Sequence, residues 1–218
     1  MKPETLRIAL LAFAALTPGC QTEGTGGGCI PVSERAGRQF GCFLTASQVV
    51  GELGETPVYW HLSKYPSRSA AEGAQVAGST VVESLGSAWL FAIADVGWRP
   101  PSGEHISEIG PLPVIEGVGY TAQYMEAVFR PGMKSIVHRH PGPEAWYTLS
   151  GETCLETPEG TMVGRAGGQH VIVPGGPPME LTATGTEVRR SLVLILHDSS
   201  QPPGSPVPDW TPKGLCKT

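Results

Sequence analysis

From Gly119 onward the sequence breaks into short apolar runs at even spacing, and this pattern constrains the fold more than any other feature. Strand-like runs fall at residues 120–129, 135–140, 144–149, 153–156, 161–163, 169–173, 179–183 and 188–197. Turn signals separate them, among them Pro131-Gly132, Pro141-Gly142-Pro143, Ser150-Gly151 and Gly167-Gly168. Glycine reaches backbone conformations that other residues avoid and proline fixes φ, so such clusters end strands and reverse the chain. Many short strands at this spacing predict a β-sandwich or barrel. The 29 Gly and 21 Pro among 218 residues favour the same outcome over long helices.

The sharpest feature within this region is His138-Arg139-His140, followed by Glu144 across the Pro-Gly-Pro turn. Side chains on a strand alternate faces, so His138 and His140 point one way and Arg139 the other. A tight hairpin returns the Glu144 carboxylate to the two imidazoles. Two imidazoles and one carboxylate on one face bind a divalent transition metal (Fe, Mn, Ni, Zn or Cu) and leave coordination positions open. The plain alternative makes them ordinary polar residues near a strand end.

These residues resemble a known motif. Gly132, five residues, His138, one residue, His140, three residues, Glu144, six residues, Gly151 matches the first cupin motif at every defining position. Gly168, five residues, Pro174, one residue, Gly176 matches the opening of the second motif. That motif then calls for a histidine where this sequence has Met179. The resemblance implies a mainly β fold, a cupin jelly-roll barrel over residues 114–200 with the site inside it. It also implies metal ligands at His138, His140, Glu144 and the position of Met179. Several readings stay open. His138, His140 and Glu144 alone form a facial triad, the Met179 thioether joins them as a soft ligand favouring Cu(I), or metal is lost and the barrel binds a small molecule. His170 and His197 lie too far along their strands to be preferred as replacements. Trp146 shares the Glu144 face and is read as core or as a pocket wall. Of Gln123 and Glu126, which face opposite ways, only one points into the barrel.

Residues 29–113 read as a small α+β extension: a strand at 58–63, a helix at 70–77 opened by a Ser69/Glu72 capping box, strands at 80–83 and 89–94, and an irregular Pro-rich stretch at 98–113. His61 and His105 are isolated there and read as structural or surface residues. Residues 201–218 form a Pro-rich tail expected to wrap the surface.

Residues 1–19 read as a signal peptide, with Lys2 and Arg7 before an apolar run at 8–16 that is too short for a membrane anchor. The run leads to Thr17-Pro18-Gly19-Cys20, which resembles a lipoprotein cleavage site with Cys20 as the lipidated residue. A Gly-rich tether, residues 20–28, follows. The expected location is therefore periplasmic, at the outer membrane or cell surface, or secreted, with membrane contact only through Cys20. In such a compartment Cys29, Cys42, Cys154 and Cys216 form disulfides whose pairing the sequence leaves open.

The net charge of -5, with scattered Lys and Arg, excludes nucleic acid as the main partner. The chain has no Ser-His-Asp arrangement, phosphate loop or dinucleotide fingerprint. The expectation is an exported metal-dependent enzyme of oxygenase or isomerase type on a small organic substrate, with Glu144 as ligand or catalytic base. The alternative is a non-catalytic module that binds or senses a small molecule. The family resemblance adds a homodimer as an expected assembly.

Overall fold

The structure, a computed structural model, describes residues 29–218, so the expected signal peptide and tether lie outside the described residues. The chain is mainly β. It runs β1 (Ile30–Pro31), β2 (Gly41–Glu52), β3 (Val58–Tyr65), α1 (Arg68–Gly73), β4 (Ser79–Ser84), β5 (Ser87–Asp95), β6 (Glu104–Ile109), β7 (Gly119–Phe129), β8 (His138–Arg139), β9 (Glu144–Ser150), β10 (Glu152–Thr157), β11 (Gly160–Arg165), β12 (Val171–Val173), β13 (Glu180–Thr184), β14 (Arg189–Asp198) and β15 (Ser205–Pro206).

Strands β7 to β14 build a jelly-roll barrel. One sheet holds β7-β14-β9-β12, and the facing sheet holds β11-β10-β13. The segment carrying β8 completes the second sheet through backbone bridges at Lys134–Thr182 and His138–Met179. Alternation puts Met125, Phe129, Trp146, Val193 and Ile195 inside the barrel, where they pack on Leu155, Met179 and Leu181 of the facing sheet. The opposite parity carries Tyr120, Tyr124, Ala145, Leu192, Leu194 and Leu196 to the outer face.

That outer face is not solvated. A second sheet of order β4-β5-β3-β6 covers it. Trp60, Leu62, Phe91 and Ile109 of this sheet join the outer residues of β7 and β14 in one core. Apolar side chains on both faces explain why β14 reads as an unbroken apolar run. The same parity separates Gln123 from Glu126. Glu126 turns outward, buried, and accepts hydrogen bonds from Ser84 Oγ (3.0 Å), the Leu85 amide (2.8 Å) and Arg35.

Two expectations about the extension change, and one strand was not anticipated. The helix spans Arg68–Gly73 rather than 70–77, and its cap is Ser67, whose side chain accepts from the Ala70 amide. Ser67 holds the extended backbone that a cap requires, whereas Glu72 pairs with Arg68 on the exposed helix face. The stretch at 98–113 contains a strand, β6, because its prolines sit outside residues 104–109 and leave those residues free to pair with β3, with one register shift at Leu62/Ser63. Gly41–Glu52 forms a long strand, antiparallel to β7 and in the same sheet. Its polar, partly exposed residues and two register shifts hide the period of two.

Disulfides join Cys29 to Cys42 and Cys154 to Cys216. The pairs are consistent with an oxidising, extracytoplasmic location. Among the described residues, no helix is long and apolar enough to cross a membrane.

Candidate metal centre

His138, His140 and Glu144 come together at one end of the barrel, with one potential ligand atom from each lying within 4.8 Å of the others. β8 supplies His138, the turn after it His140, and the first residue of β9 Glu144. The expected hairpin does not form: β8 bridges to Met179 and pairs with β15, β9 pairs with β14 and β12, and the Pro141-Gly142-Pro143 turn carries the chain tightly from one sheet to the other. A Cβ on Gly142 would lie 2.1 Å from the Leu196 carbonyl oxygen, and one on Gly175 would lie 2.5 Å from the Gly142 amide. Backbone contacts this close leave no room for a side chain at either position. The Gly176 amide also donates to the His140 carbonyl (2.9 Å), tying the second motif's loop to the first.

Both imidazoles are oriented by backbone. His138 Nδ1 donates to the Ile136 carbonyl (2.8 Å), and His140 Nδ1 donates to the Pro203 carbonyl. A carbonyl only accepts, so each ring carries its proton on Nδ1 and, when neutral, presents a bare Nε2. The Glu144 carboxylate is divided in use. Oε1 accepts from Trp146 Nε1 at 2.6 Å. Oε2 lies 3.4 Å from His140 Nε2. That contact is an ion pair without hydrogen-bond alignment, and both atoms are buried without another partner. Two buried polar atoms left unsatisfied side by side are costly unless something fills the space between them.

Electrostatics follow from crowding. Burial resists charging of His140, but Glu144 and the Pro203 carbonyl outweigh it and raise the His140 pKa. Burial also resists ionisation of Glu144, yet His140, His138 and the Trp146 N–H together hold its pKa below the ordinary value. Burial pulls His138 down, with Glu144 opposing only in part. Deeper in the barrel, the buried Arg189 guanidinium lies 5.8 Å over the Trp146 ring and 5.3 Å over Phe129. Burial lowers its pKa to about 10, countered by the Glu144 charge.

Met179 is fully buried and sits directly across the ladder from His138, with amide–carbonyl hydrogen bonds in both directions (3.1 and 2.8 Å). Cross-strand partners share a face, so Met179 belongs to the same side of the sheet as His138. His61, His105, His170 and His197 remain outside the group. His61 is buried and bonded to the Asp95 carbonyl, and His170 bonds Ser107 on the outer face. The Trp146 hydrogen bond, Arg189 and the Pro203 carbonyl were not anticipated. Strand alternation could have found the first two, since Trp146 is two residues from Glu144 and Arg189 shares parity with Val193. Nothing local marks Pro203.

No family model matches the sequence, and no curated protein matches it. Solved structures with a similar arrangement include a cupin-like protein from Thermotoga maritima, 18% identical, covering 39% of this chain and 64% of its own, with a TM-score of 0.36. An oxalate oxidase bound to the substrate analogue glycolate is 22% identical over 40% of this chain and 46% of its own, with a TM-score of 0.33. A cupin 2 conserved barrel domain protein from Salinispora arenicola is 21% identical over 42% of this chain and 72% of its own, with a TM-score of 0.32. At these scores the likeness carries no argument about fold or substrate. The barrel's own topology and its His-His-Glu group define the class: a jelly-roll barrel with a candidate metal centre at one end.

Proposed function

We propose that the protein is an exported, cupin-type metal protein acting on a small organic molecule, with oxygenase or isomerase chemistry. The observation that carries this is the pair of buried, unsatisfied atoms His140 Nε2 and Glu144 Oε2, beside a third donor on His138. A carboxylate and two Nε2 lone pairs are the donor set of a divalent transition metal, so these residues fit one. A metal held there supplies Lewis acidity and coordination positions for an oxygen-donor ligand. The chain's own residues do the rest. The Ile136 and Pro203 carbonyls fix both tautomers, and Trp146 occupies one Glu144 oxygen so that the other faces the histidines. Glu144 serves as ligand, or as the base beside the metal. The non-catalytic reading has one observation in its favour: a soft, buried thioether, Met179, stands where the motif calls for an imidazole. The leader and the two disulfides support export, with Cys20 as the proposed membrane attachment. A homodimer is the assembly proposed from the family resemblance.

Metal analysis of the anaerobically purified mature protein tests the centre. The wild type is expected to carry near-stoichiometric metal, and the His138→Ala/His140→Ala variant to lose it. Metal below about a tenth of stoichiometry, not restored by Fe, Mn, Ni, Cu or Zn, would overturn the proposal. A Met179→His change is expected to tighten Zn(II) binding, measured by chelator competition. Unchanged affinity would mean that position 179 does not reach the centre.

A further inference from the structure

The C-terminal tail does more than cover surface. After β14 it turns back along the segment that carries the histidines, where β15 pairs with β8: Ser205 lies opposite Arg139 and Pro206 opposite His138. The Val207 amide donates to the Val137 carbonyl at 3.1 Å. Between β14 and β15, the Pro203 carbonyl accepts the hydrogen bond that His140 Nδ1–H donates. The backbone presses on the same ring, because a Cβ on Gly204 would stand 3.1 Å from both Cε1 and Nδ1 of His140.

Further along, two anchors hold the tail to β10. Glu156, 1% exposed, accepts from the backbone amides of Lys213 and Leu215 (the latter at 2.8 Å). Without the tail that carboxylate would lose both amide partners, a costly state for a charge in a barrel wall. Cys216 is then joined to Cys154 on the same strand. The tail is thus tied at one end to the barrel wall and laid at the other against both histidine-bearing residues of the centre.

We propose that residues 203–216 are a positioning strap for the metal centre. The strap fixes the ring and tautomer of His140 so that Nε2 faces Glu144, and the Glu156 amide bonds with the Cys154–Cys216 link keep it seated. Its metal consequence rests on the proposed function above. Its effect on the His140 ring does not.

Two strap variants test it in the full mature chain. Gly204→Ala crowds the ring directly, and Cys154→Ser/Cys216→Ser removes the distal anchor. Cys29→Ser/Cys42→Ser, which breaks the disulfide away from the tail, is the control. In metal-free protein, imidazole 15N–1H correlation spectra above the His140 titration are expected to show one Nδ1–H tautomer in wild type and control, and a mixture in both strap variants. Co(II) affinity, measured by chelator competition, is expected to fall about 10–100-fold in the strap variants alone, the usual effect of losing a group that orients a ligand. A single retained tautomer and Co(II) affinity within about threefold of wild type in both variants would overturn the strap. Should the cysteine variant fail to fold, Gly204→Ala decides alone. If wild type takes up no Co(II), the metal reading fails and the tautomer spectra still decide the strap.

Discussion

Trp60→Ala is expected to destabilise the protein by about 3–5 kcal/mol, a large share of the roughly 5–15 kcal/mol available to a domain. Trp60 lies on β3, is fully buried, and faces the outer surface of the barrel sheet. Its ring meets Phe91 edge-on at 5.3 Å and stacks with Tyr124 at 6.4 Å, so it spans the seam between the covering sheet and β7. Truncation leaves a cavity that two β-sheets cannot collapse around. Trp60→Phe is expected to cost far less, because Trp60 Nε1 is buried without a hydrogen-bond partner and removing it also removes that penalty. Denaturant midpoints of the metal-free protein check both. A loss under about 1 kcal/mol for the alanine variant would mean that the covering sheet is not packed on the barrel. Metal affinity should hold in either variant that stays folded, since the centre lies on the opposite face of the sheet.

The barrel was legible because its strands obey period two between clear turns. The predicted run 120–129 differs from β7 by one residue at one end, and 188–197 differs from β14 by one residue at each end. The His138-x-His140 spacing and the Pro-Gly-Pro turn were legible for the same reason, being local, but the turn links two sheets rather than the two strands of a hairpin, which is a non-local property. Position 179 was legible only through the family resemblance, and the ladder contact with His138 gives it physical content. What escaped was non-local or masked. β2 drew no assignment from the sequence because Gly and polar residues on both of its faces hide the alternation. β6 was obscured by flanking prolines that lie outside it. The continuous apolar run of β14 did hold a usable signal, since a strand apolar on both faces needs a covering layer on each side. The Pro203 carbonyl had none. A backbone acceptor 63 residues from its donor is set by how the tail is anchored, and no side chain at that position announces it.

Glu144→Gln is expected to weaken Co(II) binding by at least about 100-fold, beyond what loss of a merely supporting group would do. The carboxylate has one oxygen committed to Trp146 and the other turned to His140. An amide that keeps the Trp146 bond through its oxygen must aim its NH2 at His140 Nε2. A donor then stands where the centre needs an acceptor, although volume is unchanged. Two pH signatures accompany this. In wild type, protons compete with metal for His140 Nε2, so affinity falls as pH drops through a pKa raised above the ordinary 6.5. The variant lacks Glu144, the main group raising it, so its fall should move to lower pH.

In metal-free protein the same pair contributes stability within a window. The His140 contribution, from a raised pKa, is present below 6.5 and is lost as pH rises through the folded value. The Glu144 contribution, from a lowered pKa, is present above 4.5 and is lost as pH falls through the folded value. Wild-type denaturant midpoints under chelator should therefore show a maximum between these limits that Glu144→Gln flattens. Unchanged Co(II) affinity together with an unflattened profile would remove Glu144 from the centre and leave its ion pair with His140 without consequence. If the profile flattens but affinity holds, Glu144 sets the charge of His140 in the empty site and does not ligate the metal.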